Sequence, residues 1–400
     1  MQLFDDYERT ESRLAFETEP AFVYLNITAR PVIARVRTLL EDWFSHFPVA
    51  EQAELRIRLR SPDDRMHSAA FFELAMHEML LRLRCQVVVH PLGQNEISAK
   101  SPDFGATDPD GESFYLEATL DAGQSARDEK TQAVINTVFD GINRKLDSRD
   151  FFIGIDMEGA PKSAPSIAKM VEFLQGKLAG LDPDDPNLTS DSGPLWPYDH
   201  DGWRVEFFPI PRRGEARNEA AERIIGLKSY GARLVDDITS IKRAVTTKAG
   251  RYGELDRPYV IAVNSVGDAD DSDVVDALFG REQLTVWFPA AGPVTPIHTE
   301  PGRARDGAWI GRAGFINTRV SAALIFHRLN PYSLVHASVC LYHHPKAQWP
   351  YQSVLIELPQ AIVQNGRLVR VAGASLREIL DLPEAWPEDY RGQERAESGL

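Results

Sequence analysis

The stretch that most narrows the folds open to this chain is Asp108-Pro109-Asp110-Gly111 and the seven residues that begin at Phe114. Asp, Pro and Gly in that order signal a tight turn: Asp bonds its own backbone, Pro presets φ, and Gly tolerates a positive φ. Residues 114–120 then alternate. Phe114, Leu116, Ala118 and Leu120 share one face, and Tyr115, Glu117 and Thr119 share the other. A strand after a tight turn pairs antiparallel with the extended segment before it, here near residues 97–104. Upstream, Ser61-Pro62-Asp63-Asp64 sets a cap, a first-turn proline and acids at the positive end of a helix. It predicts a helix to about Arg84, followed by a short β-branched run over 85–89. Downstream, 125–146 reads as a helix with Val134, Val138 and Ile142 on one stripe, and 151–157 as a strand. Residues 61–157 therefore read α-β-β-β-α-β. The helix crossover is expected to return a strand parallel to the third.

The flanks carry weaker patterns. Residues 1–60 read as a helical lead-in, clearest over 32–47, where Val32, Val36, Leu39, Leu40 and Trp43 recur at helical spacing. Residues 181–202, rich in Asp, Pro, Asn, Ser and Gly, read as a linker or exposed loop. Beyond them, 203–210 and 259–266 are strand-like. A long helix over 219–249, broken near Gly231, is expected between them, and a further helix over 271–280. Short strands are expected at 285–288, 315–326, 334–342, 354–358 and 368–371. The expected organisation is a lead-in (1–60), a core (61–180), the linker (181–202) and a region that is α/β and then strand-rich (203–400). The fold class is α/β, with a mixed sheet in the core and a large α+β C-terminal elaboration.

Composition limits the function classes. With 43% hydrophobic and 26% charged residues the chain can bury a core, so wholesale disorder is excluded. The first twelve residues lack a basic start followed by an apolar run, so no secretory leader is expected. No window approaches the length of a membrane span. Two cysteines, Cys85 and Cys340, are too few for a disulfide framework or a cysteine zinc site. Both lie in apolar runs and read as small buried hydrophobes in a reducing, cytoplasmic compartment. The net charge of −15 weighs against indiscriminate grip on nucleic acid, although 44 Lys and Arg residues leave room for a local basic face.

Three acids fall where a metal site could use them. Glu73 interrupts the apolar helix run Phe71-Phe72-Glu73-Leu74-Ala75, where an unpaired charge is costly. Asp103 follows Pro102 at the end of an extended segment, and Glu117 sits inside the alternating strand. A hairpin brings Asp103 and Glu117 side by side, and converged carboxylates make a hard oxygen site suited to Mg²⁺ or Mn²⁺. The order of helix with Glu73, strand, Pro102-Asp103, turn and Glu117-x-Thr119 resembles the PD-(D/E)XK, restriction-endonuclease-like superfamily, whose core is also αβββαβ. The resemblance covers residues 61–157, about a quarter of the chain. It implies that Asp103 and Glu117 hold the metal, that Glu73 completes or orients the site, and that the activity is hydrolysis of phosphodiester bonds, in DNA. The family's lysine, two residues after the second acid, is Thr119 here. Some members carry it on the following helix, where Lys130 is best placed and Gln124 and Lys145 are weaker candidates.

Other motifs fall away. His77-Glu78-Met79-Leu80-Leu81 begins like H-E-x-x-H but lacks the second histidine. Glu73 and His77, one turn apart, are expected to pair. His343-His344-Pro345 reads as a strand end entering a turn. There is no phosphate-binding glycine loop and no G-x-S-x-G elbow. Lys228, Arg233, Lys242, Arg243, Lys248 and Arg251 read as a solvated helix face, or as a phosphate-contacting surface. Trp287, Trp309 and Trp349 read as core. The sequence thus points to a metal-dependent nuclease that could be a homo-oligomer. The alternatives are a non-catalytic nuclease-like scaffold that binds nucleic acid or a protein, and a regulatory protein whose acids are coincidental.

Overall fold

A computed structural model describes residues 1–92, 101–121, 126–188, 193–214, 217, 223–267, except 231–236, then 269–287 and 298–387. In chain order its elements begin with α1 (Ala21–Ile27), α2 (Pro31–His46), α3 (Gln52–Leu59), α4 (Asp64–Arg82), β1 (Gln86–Val89), β2 (Phe104–Thr107) and β3 (Ser113–Asp121). Next come α5 (Ala126–Lys145), β4 (Phe151–Gly159), α6 (Ile167–Leu178), β5 (Trp196–His200), β6 (Trp203–Pro211) and β7 (Ile225–Tyr230). Then follow α7 (Asp237–Ala249), β8 (Tyr259–Ser265), α8 (Asp271–Phe279), β9 (Glu282–Trp287), β10 (His298–Arg303), β11 (Ile310–Gly311) and β12 (Gly314–Phe315). The chain closes with β13 (Ala322–His327), β14 (Ser338–His343), β15 (Gln360–Gln364), β16 (Arg367–Val371) and α9 (Leu376–Ile379). The protein is thus mixed α/β. No helix among the described residues is long and apolar enough to cross a membrane.

The chain forms two compact units, each gathered from distant pieces of sequence. One comprises 1–6, 35–123 and 235–388, the other 7–34, 124–234 and 389–400. They do not follow the contiguous spans 1–60, 61–180 and 203–400 read from sequence.

The first unit is built on an eight-stranded sheet in the order β1-β2-β3-β8-β13-β14-β15-β16. Its meander forms for the reason the sequence suggests. Asp108 Oδ1 accepts from the backbone N–H of Asp110 (2.9 Å) and Glu112 (2.8 Å), and Gly111 takes φ of 90°, which closes the turn. The register follows, with Thr107 opposite Ser113 and Phe104 opposite Leu116. Helix α4 starts where predicted, with Asp63 accepting from the Arg65 and Met66 amides. Its Phe72 ring meets Phe326 edge-on at 5.4 Å. Neighbouring residues of β13, Ala323 and Ile325, point instead into the cluster formed with Val245 of α7 and Val274 and Leu278 of α8. Because strand side chains alternate, α4 covers one face of the sheet, and α7 with α8 covers the other.

Three expectations are corrected here. The strand returned parallel to β3 is β8, not the 151–157 segment. That segment, β4, sits in a separate four-stranded sheet of order β5-β6-β4-β7 in the second unit. There Ile153, Ile155 and Met157 join Trp196, Trp203 and Phe207 against Val138 and Ile142 of α5 and Met170 and Leu174 of α6. Within the expected helix over 219–249, Ile225–Tyr230 form a strand, β7, because they pair with β4, and only Asp237–Ala249 form a helix, α7, while 219–222 and 231–236, with the expected break near Gly231, lie outside the described residues. Residues Val354–Glu357 form a 3₁₀ turn rather than a strand.

Candidate functional site

The meander brings two of the predicted acids together. One step past the Phe104–Leu116 pair, Asp103 lies opposite Glu117. The Asp103 carbonyl accepts from the His90 amide (3.0 Å), and its carboxylate Oδ2 accepts from the Ala118 amide (2.7 Å), so backbone on both sides fixes it. Its other oxygen accepts from none of the described residues.

Glu117 is fully buried on the face of β3 covered by α7, level with Ile261 of β8. A carboxylate there needs compensating donors, and the end of α7 supplies them. Glu117 Oε1 accepts from Lys248 Nζ and from Arg251 Nη1, the latter at 3.2 Å. Oε2 accepts from the Tyr252 hydroxyl, which also lies 2.9 Å from the Ser101 carbonyl. One phenolic proton thus serves two acceptors, one on β3 and one in the segment leading to Asp103. Burial, then the bond to Glu117, raise the Tyr252 phenol above its ordinary value.

Asp103 is the perturbed group. Burial, then the negative charges of Glu117 and Glu73, push its carboxyl up to about 7, against the Ala118 amide and Lys248, which act the other way.

Glu73 does not join the pair as a third ligand. It is buried on α4, and both its oxygens are taken by Arg58, at 2.5 and 3.0 Å. It acts on Asp103 only through its charge. Among the described residues no group of three or more His, Cys, Asp or Glu side chains is placed to hold a metal. The expected triad of Glu73, Asp103 and Glu117 is therefore corrected to a pair, because Arg58 takes both oxygens of Glu73.

The expected Glu73–His77 pair is also absent. His77 is buried between Phe47 (4.7 Å) and Phe104 (6.0 Å), its Nδ1 lacks a partner, and burial pushes its pKa down to about 4. Lys130 and Lys145 stand exposed on α5 of the second unit, and Gln124 lies outside the described residues. Sequence reasoning missed the pairing of Lys248, Arg251 and Tyr252 with Glu117. The two cations were visible only as charge along a helix.

The donor set suits a hard divalent cation in chemistry, since Asp103 offers an oxygen with no donor among the described residues beside a second carboxylate. Neither a family model, nor a curated protein, nor a solved structure matches the chain.

Proposed function

We propose that the first unit is a divalent-metal-dependent phosphodiesterase that acts on DNA. The observation that carries this reading is the Asp103–Glu117 pair with Lys248 Nζ bonded to Glu117. The order of elements supports it. With residues 124–234 taken as an insertion, α4-β1-β2-β3-α7-β8 runs α-β-β-β-α-β, the order of the restriction-endonuclease-like core. In that order α7 is the helix after the third strand. Lys248 then stands for the motif lysine that Thr119 replaces, a role Lys130 was expected to fill.

On this reading Asp103 and Glu117 hold Mg²⁺ or Mn²⁺. When bound, the ion acts as a Lewis acid on a phosphate oxygen and lowers the pKa of water. The chain's own residues do the rest. Lys248 neutralises charge that develops on the phosphate oxygens. Arg251, half-exposed beside it, binds a backbone phosphate. Tyr252 fixes the rotamer of Glu117 by bridging it to Ser101.

One observation favours a second reading. Lys248 and Arg251 already neutralise Glu117, as in a non-catalytic scaffold where cationic side chains take the place of metal. A cleavage assay on plasmid and single-stranded DNA with Mg²⁺ or Mn²⁺ separates the two. Metal-dependent cleavage that falls at least about 100-fold in Asp103→Asn and in Lys248→Met, but not in Lys130→Met, supports the enzyme. Absence of cleavage, together with no heat of Mn²⁺ binding to the wild type, supports the scaffold.

A further inference from the structure

The hairpin β9–β10 departs from the rest of the first unit. Its strands are six residues each and fully in register, from Arg303 opposite Glu282 to His298 opposite Trp287. Nearly every residue on both of its faces is exposed, and Leu284 and Trp287 are 61% and 40% exposed. A two-stranded hairpin alone is marginal in water, so what fixes this one matters. The base is tied to the body. Arg303 donates to Asp276 of α8 (2.6 Å), to the Gly280 carbonyl (2.7 Å) and to Glu282 (3.1 Å), and Arg281 pairs with Asp306 at 3.2 Å. The far end of the described hairpin has no such tie. There the directly opposed Trp287 and His298 rings meet at 4.9 Å with a 36° tilt, and both residues are exposed.

The chemistry of this arm is graded from end to end. The far end of the described strands, Val286-Trp287 opposite His298-Thr299, is aromatic and carries no acidic or basic side chain other than the imidazole. At the base Asp276, Glu282 and Asp306 pair with Arg303 and Arg281, and two further arginines lie beside them. Arg305 donates to the Arg312 carbonyl (3.1 Å), and both guanidinium groups are exposed and pair with no carboxylate among the described residues. Six strand residues span roughly 20 Å, about three nucleotides of an extended strand. An aromatic shelf above a pair of unneutralised guanidiniums matches an unstacked nucleic-acid strand. Each base offers a π-face regardless of sequence, and the backbone offers phosphates to the arginines. Two exposed guanidiniums with no carboxylate among the described residues favour a polyanionic ligand over a neutral apolar one.

We infer that the β9–β10 hairpin is a stacking arm for single-stranded nucleic acid, with Trp287 and His298 receiving a base and Arg305 and Arg312 receiving phosphates. The inference shares with the proposed function only the class of ligand, because binding through the arm needs neither metal nor cleavage.

The test is fluorescence anisotropy of a labelled oligothymidylate titrated with the full chain in EDTA, where nothing is cut. Trp287→Ala is expected to weaken binding about 5- to 150-fold, the range of one base–aromatic stack, and Trp287→Phe to retain most of it. Arg305→Ala with Arg312→Ala is expected to lower the slope of log affinity against log salt by about 1.4, roughly 0.7 for each phosphate left without its arginine. Trp287 is too exposed for its loss to unfold the chain, and an unchanged melting temperature checks this. Unaltered affinity in Trp287→Ala overturns the inference. So does wild-type protein that binds no oligonucleotide, or a Trp287→Ala variant that changes only sedimentation, which would place a second copy on the arm. Loss of cleavage in Asp103→Asn with oligonucleotide binding intact separates the catalytic site from the arm.

Discussion

Asp140 of the second unit and Glu117 of the first are both buried, and their surroundings treat them differently. In the second unit Asp140 is 1% exposed and accepts from the Glu17 amide (2.8 Å), the Thr18 amide (2.9 Å) and the Thr18 hydroxyl (2.6 Å). All three donors are neutral and belong to one turn of chain, so the carboxylate pins the segment before α1 onto α5. In the first unit Glu117 is met by Lys248, Arg251 and Tyr252, and Asp103 by one amide, two negative neighbours and the charge of Lys248. A buried acid satisfied by fixed neutral dipoles is a staple. A buried acid balanced by charged side chains, beside a second acid pushed up to about 7, is an electrostatic centre.

The largest effect expected from this contrast is at Glu117. Glu117→Ala leaves a lysine and an arginine facing a hole, and a broken buried ion pair costs about 3–5 kcal/mol. Urea unfolding should show that loss, and a second substitution, Lys248→Met, should recover part of it by removing the orphaned charge. No such recovery would mean that Glu117 acts as Asp140 does, through dipoles.

Next in size is a change of opposite sign. The Asp103 carboxyl is raised to about 7 from an ordinary value of 3.8, so the folded state holds a proton that the unfolded chain releases. Stability therefore falls as pH rises from about 4 to about 7, and the full penalty applies above that. The shift corresponds to about 4 kcal/mol, and about half of that remains after screening of a half-buried group. Asp103→Asn keeps the acceptor for Ala118 and should stabilise the protein by about 2 kcal/mol at pH 8, with no gain at pH 4. Mn²⁺ should stabilise the wild type and leave the variant unmoved. Asp140→Asn should destabilise instead, by about 1–3 kcal/mol, since one of its bonded amides loses a charged acceptor. Equal signs in the two variants would end the comparison.

The meander and α4 were legible because local chemistry fixes them: a cap at Asp63, a turn at Asp108 and clean alternation over 114–120. The partner of β3 was not. Both β4 and β8 are apolar runs, every residue of β8 is buried, and periodicity cannot say which sheet a buried strand joins. The site was half legible for the same reason. Asp103 and Glu117 are neighbours through one hairpin, whereas Lys248 is 131 residues from Glu117 in sequence, and Arg58 reaches Glu73 from another helix. A lysine on an amphipathic helix looks the same whether it meets solvent or a buried acid across a crossover that spans residues 124–234.

The smallest effect concerns a residue that the comparison leaves outside both classes. His77 is 2% exposed, makes no ion pair, and has a pKa pushed down to about 4 by burial. Here the unfolded chain binds the proton that the folded state refuses. Stability is intact above about pH 6.5 and is lost as pH falls toward 4, by about 2 kcal/mol at pH 5. His77→Phe keeps an aromatic ring against Phe47 and Phe104 and removes the unpartnered Nδ1. It should therefore lose about 2 kcal/mol less than wild type between pH 7.5 and pH 5 in urea unfolding. In the same window Asp103 gains stability as pH falls, so the wild-type acid limb is the difference of two opposed titrations. Asp103→Asn should steepen that limb and His77→Phe should flatten it. Parallel limbs in the two variants would mean that neither group sits in the environment its burial describes.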